Sequence, residues 1–298
     1  MSFDGVSTGQ DLQETRTPDQ LIADAVSAAA KADVVFFVGG LNKSKYQDAE
    51  DSDRASFGLP YGQDAVIEAL ADANPNLVVI NISGNPVGMP WASKVPVILQ
   101  DWYLGSEAGR SLADVLTGAV NPSGHLPFTI PYEMEDGPVT TASQYPGVPR
   151  EDSPLLDEYY SEGVYVGYRW YDTQGTAPRF AFGHGLSYTT FKYLKAKVRR
   201  DKLVIKLRNT GKVAGDEIVQ VYVRDLDDAE GPIKALRAFK RVSVKPGRRA
   251  RVSIPLDDKM FASFDKTTGE LSKVTGNYEL LCGGSSEDSG LISVKVSR

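Results

Sequence analysis

Between residues 19 and 131, stretches with helical apolar spacing alternate with short apolar runs. Asp19 opens a helix that reaches about Ala32, with Thr17 placed to cap it and Pro18 at its first position. Asp33 to Val38 follows as a near-continuous apolar run stopped by Gly39-Gly40, the pattern of a central strand buried on both faces. Gln63 to Ala73 is a second helix, and Leu77 to Ile82 a second strand. Val95 to Gln100 is a third strand, Ser106 to Thr117 a third helix, and Leu126 to Ile130 a fourth strand. This alternation predicts a mostly parallel sheet with helical crossovers, and chemistry in such sheets lies in loops beyond the strand C-termini. Attention falls on 39–60, 83–91 and 101–105.

From about residue 191 the period changes to two. Short alternating segments run Phe191–Val198, Leu203–Leu207, Ile218–Val223, Leu236–Val244 and Ala250–Ile254, then Met260–Phe264, Asn277–Cys282 and Leu291–Val296. Turn residues such as Asn209-Thr210-Gly211 and Lys245-Pro246-Gly247 separate them. The pattern predicts an antiparallel sandwich of immunoglobulin or fibronectin type III kind. The expected domains are an α/β domain over 1–140, an aromatic-rich bridge over 141–185 and a β-sandwich over 186–298. The bridge carries Tyr159, Tyr160, Tyr165, Tyr168, Trp170 and Tyr171, too many aromatics for a free linker.

The chain has 298 residues, 41% of them hydrophobic and 24% charged, with a formal net charge of -6. Length allows two domains, and composition excludes a collagen-like or disordered chain. The acidic balance and the lack of a long Lys/Arg run argue against a nucleic-acid partner. No run of about 20 apolar residues could span a bilayer. The single cysteine, Cys282, excludes an internal disulfide framework, and two histidines make a soft-metal cluster and a redox cofactor poor expectations.

The richest loop follows the first strand. Residues 42–54 hold the carboxylates Asp48, Glu50, Asp51 and Asp53 beside Lys43, Lys45 and Arg54. By residue type alone this is a solvated polar loop, a general acid whose pKa is raised by burial or a like charge, or a calcium site. The spacing does not match the twelve-residue calcium loop. Trp91, Trp102 and Tyr103 at strand ends suit stacking on the apolar face of a sugar ring, or else cap the core. Gly39-Gly40 lacks the rest of a phosphate loop, and Ser83-Gly84 is not an esterase elbow. His125 and His184 have no serine or cysteine partner in sequence and read as structural.

Several long stretches occur together and in order. They include Glu50-Asp51-Ser52-Asp53-Arg54, Gly84-Asn85-Pro86-Val87-Gly88-Met89-Pro90-Trp91 and Asp101-Trp102-Tyr103-Leu104-Gly105-Ser106-Glu107. Asn121-Pro122-Ser123-Gly124-His125-Leu126-Pro127, Gly167-Tyr168-Arg169-Trp170-Tyr171 and Phe182-Gly183-His184-Gly185-Leu186-Ser187-Tyr188 follow. From about residue 20 to the end the chain resembles the C-terminal half of glycoside hydrolase family 3, the β-glucosidases and exo-β-glucanases.

The resemblance implies an α/β sandwich followed by a fibronectin type III-like domain, both normally preceded by a barrel. It implies a retaining double displacement with no cofactor and no metal. An Asp of the barrel attacks the anomeric carbon, and a Glu of the α/β sandwich protonates the leaving oxygen and then activates water. By position that Glu is Glu50, preferred over Asp48, Asp51 and Asp53. Where the family commonly has glycine, this chain has Asp51, an added charge that either raises the acid's pKa or points to solvent. Asp48, Asp53, Arg54, Trp102 and Tyr103 become loop-supporting or substrate-binding candidates, with Asp53 and Arg54 expected to fix the loop as a charge-assisted pair.

The family's α/β domain usually opens with a strand not found before residue 19. A sheet short of one strand exposes an unpaired edge and apolar surface. The expected partner is a barrel-containing chain or fragment that carries the nucleophile and the missing strand. The expected substrate is a β-glucoside or β-glucan oligosaccharide, with a β-xylosidase of the same family or a non-catalytic carbohydrate-binding or assembly module as alternatives. A homodimer of the assembled enzyme and a periplasmic or extracellular location complete the expectations.

Overall fold

A computed structural model describes residues 14–50, 52–265, 267–273 and 275–298. Asp51, and most of the segment before residue 19 in which no leading strand was found, lie outside the described residues. The chain divides into two units, 1–112 with 132–134, and 113–131 with 135–298.

The first unit begins with α1 (Pro18–Ala29). Thr17 Oγ1 accepts from the Gln20 amide, and Gln20 Oε1 accepts from the Thr17 amide. This reciprocal capping box settles two otherwise orphaned donors at the helix start. β1 (Val35–Gly40), β2 (Leu77–Ile82) and β3 (Val97–Gln100) form a parallel sheet in the order β1-β2-β3. α2 (Gln63–Ala73) crosses over between β1 and β2 and packs on α1 and β1, burying Ile67 and Leu70. Asn74, buried just past α2, donates to the carbonyls of Ala29 and Ala32 and ties the end of α1 to the start of β2. Trp91 is fully buried and donates from Nε1 to Asp64 at 2.7 Å, so it belongs to the core rather than to a sugar cleft.

β1 differs from its expected role as a strand buried on both faces. It is an edge strand with one partner among the described residues, and Phe36 and Val38 are 53% and 57% exposed. Only the face bearing Val35 and Phe37 is covered. An apolar run looks the same in sequence whether one face or both find a cover.

α3 (Ala108–Leu116) contains the division between the units at Leu112. The expected strand at Leu126–Ile130 does not form. Only Ile130 pairs, through a single antiparallel bridge to Phe180. Pro127 has no N–H to give a ladder.

Within the second unit, a two-residue ladder joins β4 (Val148–Pro149) to β5 (Leu156–Asp157), and α4 (Tyr168–Gln174) follows. The sandwich is built from β6 (Phe191–Arg199), β7 (Lys202–Asn209), β8 (Gly215–Asp225), β9 (Ala235–Val244), β10 (Arg249–Pro255), β11 (Ala262–Asp265), β12 (Glu270–Lys273), β13 (Asn277–Gly283) and β14 (Ile292–Ser297). The main sheets are antiparallel, β10-β7-β6 and β14-β13-β8-β9, with β11–β12 as a separate hairpin. The segment expected as a strand at Met260–Phe264 starts as a helical turn over Asp258–Phe261, capped by Asp257, before β11 begins. Leu203, Ile205 and Leu207 of β7 face Val219, Val221 and Val223 of β8 in the core. Each such buried side chain contributes roughly 1.5–3 kcal/mol. In β6 the pairing skips Leu194: Tyr193 faces Leu207 and Lys195 faces Lys206. This one-residue bulge moves the inward set from odd positions (Phe191, Tyr193) to even ones (Ala196, Val198).

The aromatic-rich segment is anchored to the sandwich. Lys234 is fully buried and pairs with Asp172 of α4 at 2.8 Å and Asp288 at 2.9 Å. The Leu236 amide donates to Tyr168 Oη at 2.7 Å, and the Tyr168 ring lies against Phe182 and Tyr222.

Candidate active site on the loops beyond the parallel sheet

The three strand ends of the first unit are fastened before any loop leaves them. Asn81 Nδ2 donates to Gln100 Oε1 at 2.8 Å, and Gln100 Nε2 donates to the Ser83 carbonyl at 2.9 Å. At the end of β1, Gly40 has φ +135, and a Cβ there would lie 2.1 Å from the Ile82 carbonyl oxygen, so only glycine lets the chain pass. Gln63 takes the place of a further strand partner, accepting from the Gly40 amide at 2.7 Å and donating to the Gly40 carbonyl at 2.9 Å.

The loop after β1 is organised around two buried polar side chains. Gln47 Oε1 accepts from the Asn42 amide, and its Nε2 donates to Tyr61 Oη at 2.5 Å. Ser52 Oγ accepts from the Tyr46 amide at 3.1 Å. An antiparallel bridge between Ala49 and Ser52 closes a tight turn with Glu50 in it, and Glu50 is exposed. Tyr46, Tyr61 and Trp102 all have positive φ, 65, 61 and 32. Three bulky residues in the left-handed region around neighbouring loops are held there only by their surroundings.

Asp48 joins the loops. Its carboxylate accepts from the Gly84 amide at 2.8 Å, from Asn85 Nδ2 at 2.7 Å and from Tyr103 Oη at 2.6 Å. Burial pushes this carboxyl up. The hydrogen bonds from Tyr103 and Gly84 and the charges of Lys43 and Arg54 outweigh it, so Asp48 titrates below the usual carboxylate range. Lys43 Nζ also sits 4.4 Å from the centre of the Tyr103 ring. Burial and the Asp48 carboxylate together push the Tyr103 phenol well up, which keeps it a donor. Asp101 is pushed up by burial alone.

Arg54 donates from Nη2 to Asn85 Oδ1 at 2.8 Å and to the Pro86 carbonyl at 2.9 Å, with a longer contact to Phe57 O. The carboxylate whose charge acts on it is Asp48. The loops after β1, β2 and β3 therefore meet at Asp48, Arg54, Asn85 and Tyr103. Glu50 projects from the turn that follows Asp48. Asp53 and Trp102 lie on the same two loops.

Gly84, Asn85 and Gln47 were not among the site candidates. For Gly84 the signal lay in its place at a strand end: a Cβ there would meet Asp48 Oδ2 at 2.8 Å. In the second unit His125 Nδ1 lies 2.5 Å from the Gly183 carbonyl, and the His184 ring stacks on Phe180, with burial lowering its pKa. Both act structurally. Among the described residues no three metal-ligating side chains converge, and no helix is long and apolar enough to cross a membrane.

Residues 4–168 match the glycosyl hydrolase family 3 C-terminal domain, and 217–286 match the fibronectin type III-like domain. The chain is 42% identical over 283 residues to "Beta-glucosidase BoGH3A" of Bacteroides ovatus, covering 91% of this chain and 37% of that protein. It is 38% identical over 291 residues to "Thermostable beta-glucosidase B" of Acetivibrio thermocellus, covering 95% and 37%. Its fold matches the crystal structure of DesR, a β-glucosidase from Streptomyces venezuelae in complex with D-glucose, with TM-score 0.85 and 36% identity over 94% of this chain and 35% of that one. The chain thus spans little more than a third of the length of these relatives. It belongs to glycoside hydrolase family 3, matching that family's C-terminal and fibronectin type III-like domains.

Proposed function

We propose that this chain is the acid/base-bearing part of a retaining β-glucosidase acting on terminal, non-reducing β-D-glucosyl residues. Glu50 is the general acid/base. It protonates the glycosidic oxygen as the bond breaks, then takes a proton from the water that releases the glucosyl-enzyme. An Asp on a barrel, carried by a second chain or fragment, is the nucleophile. The relatives' printed names support the substrate class.

The observation that carries the proposal is the placement of Glu50. Its side chain is exposed in the turn closed by Ala49 and Ser52, while Asp48 next to that turn is locked by three hydrogen bonds to the other loops. A general acid needs that combination of accessible carboxyl and rigid support. The uncovered apolar face of β1 supports a second wall that packs against this unit.

The test uses the enzyme assembled with its barrel. Glu50→Ala is expected to lower turnover by about 10²–10⁴-fold, with the larger loss on glucosides whose leaving groups need protonation. An unchanged rate on those substrates would remove Glu50 from the role. The chain alone is expected to hydrolyse no β-glucoside.

A further inference from the structure

The outer face of the β10-β7-β6 sheet is basic without interruption. Pairing aligns Lys192 of β6, Arg208 of β7 and Arg249 of β10 in one row, and Lys195, Lys206 and Arg251 in the next. All six are exposed. The three strands contain no Asp or Glu, and among the described residues no carboxylate pairs with any of the six. Further along β6, Lys197 is held below the usual lysine range, chiefly by the charges of Lys195 and Arg199. Like charges directly opposite one another on a sheet destabilise it. A chain with net charge -6 has placed a concentrated positive field on one flat face.

A shallow groove of about 320 Å³ runs over this face between Lys195, Lys197, Lys206 and Arg251, floored by Val204. Cations repeat at about 4.8 Å across the strands and about 6.8 Å along them. We infer that this face binds an acidic polysaccharide, a linear chain carrying a carboxylate on each sugar. The charge repeat across the strands is of the same order as one carboxylate per sugar. Arg208, Arg249 and Arg251 offer forked donors suited to carboxylates. No outward position on the three strands is aromatic, so there is no platform for nucleic-acid bases. The site is independent of the catalytic reading: it would anchor the protein to a charged matrix whichever bond the enzyme cleaves.

The test measures binding of the full 298-residue chain to polygalacturonate, with neutral dextran, duplex DNA and phosphatidylserine vesicles as parallel probes. Polygalacturonate is expected to bind at about 20 mM salt and to weaken at least tenfold by about 200 mM, as ion displacement requires. The triple variant Lys195→Gln, Lys206→Gln, Arg251→Gln is expected to bind about tenfold more weakly or worse, yet to unfold no earlier than the parent, because it relieves like-charge pairs. A control triple, Lys31→Gln, Lys212→Gln, Lys240→Gln, is expected to bind like the parent. No binding at low salt, undiminished binding by the first triple, or equal loss in the control overturns the inference. Tighter binding of DNA or vesicles than of polygalacturonate also overturns it.

Discussion

Tyr103 Oη lies 2.6 Å from Asp48 Oδ2, and this hydrogen bond ties the loop after β3 to the loop that carries Glu50. Tyr103→Phe removes the donor and leaves the ring under Lys43. Its expected cost is about 1–2 kcal/mol, as for a hydrogen bond to a charged acceptor. The folded state holds the Asp48 carboxyl below its ordinary 3.8. Its contribution is therefore present above that value and lost as pH falls through the folded pKa. The gap between variant and parent should be widest above about pH 4 and should close in stronger acid. Denaturant titrations across this range check both size and sign. A gap that widens in acid contradicts the assignment.

Lys234 distinguishes its two carboxylate partners by burial. The ammonium is 0% exposed, whereas the Asp288 side chain is 69% exposed and that of Asp172 only 17%. Lys234→Met leaves the Asp172 charge buried without its partner and should cost about 3–5 kcal/mol. Asp288→Asn should cost under about 1 kcal/mol, because that carboxylate is solvated without Lys234. Unfolding midpoints of the two variants give the comparison, and equal losses would contradict it.

Glu217 sits buried on β8, accepting from Tyr193 Oη at 2.7 Å. Burial raises its carboxyl above the ordinary 4.5, against the opposing pull of Tyr193 and His125. Ionisation is thus harder in the folded state, and stability falls as pH rises from the unfolded value through the folded one. Glu217→Gln cannot ionise. Its stability relative to the parent should therefore improve between about pH 4 and pH 7, whatever the difference at the acid end. Thermal unfolding at the two pH values reads this directly.

The uncovered face of β1 gives a prediction of a different kind. Phe36 and Val38 make little contact within the chain, so Phe36→Lys with Val38→Lys should change stability by no more than about 0.5 kcal/mol per site. The same change should reduce self-association of the chain and block activation by the barrel proposed above. Sedimentation and a reconstitution assay test the two halves separately. Normal reconstitution would place the barrel elsewhere.

Alternation made the sandwich legible. Core positions such as Leu203, Ile205 and Leu207 recur with period two, and turn residues mark the ends. Thr17, Pro18 and Gln20 made the start of α1 equally plain. β1 was less legible because Val35, Phe36, Phe37 and Val38 are all apolar, so the sequence carries no mark of which face lacks a cover. The acidic loop after β1 was visible as a cluster, but its wiring was not. Arg54 reaches Asn85 and Pro86, some thirty residues on, and Asp48 is gripped by a glycine amide that composition cannot reveal. Net charge hid the basic face as well. Alternation spreads its cations among core residues, so no Lys/Arg run ever forms.

The bulge at Leu194 makes β6 tolerant of a change in length. Leu194 is the residue without a partner, so a chain lacking it keeps Tyr193 opposite Leu207 and Lys195 opposite Lys206. Everything downstream stays in frame with its neighbours. Removing any other single residue from the middle of β6 would shift one end of the strand by a position and turn its core side chains outward. At this point of the sheet, losing a whole codon is a milder event than replacing one.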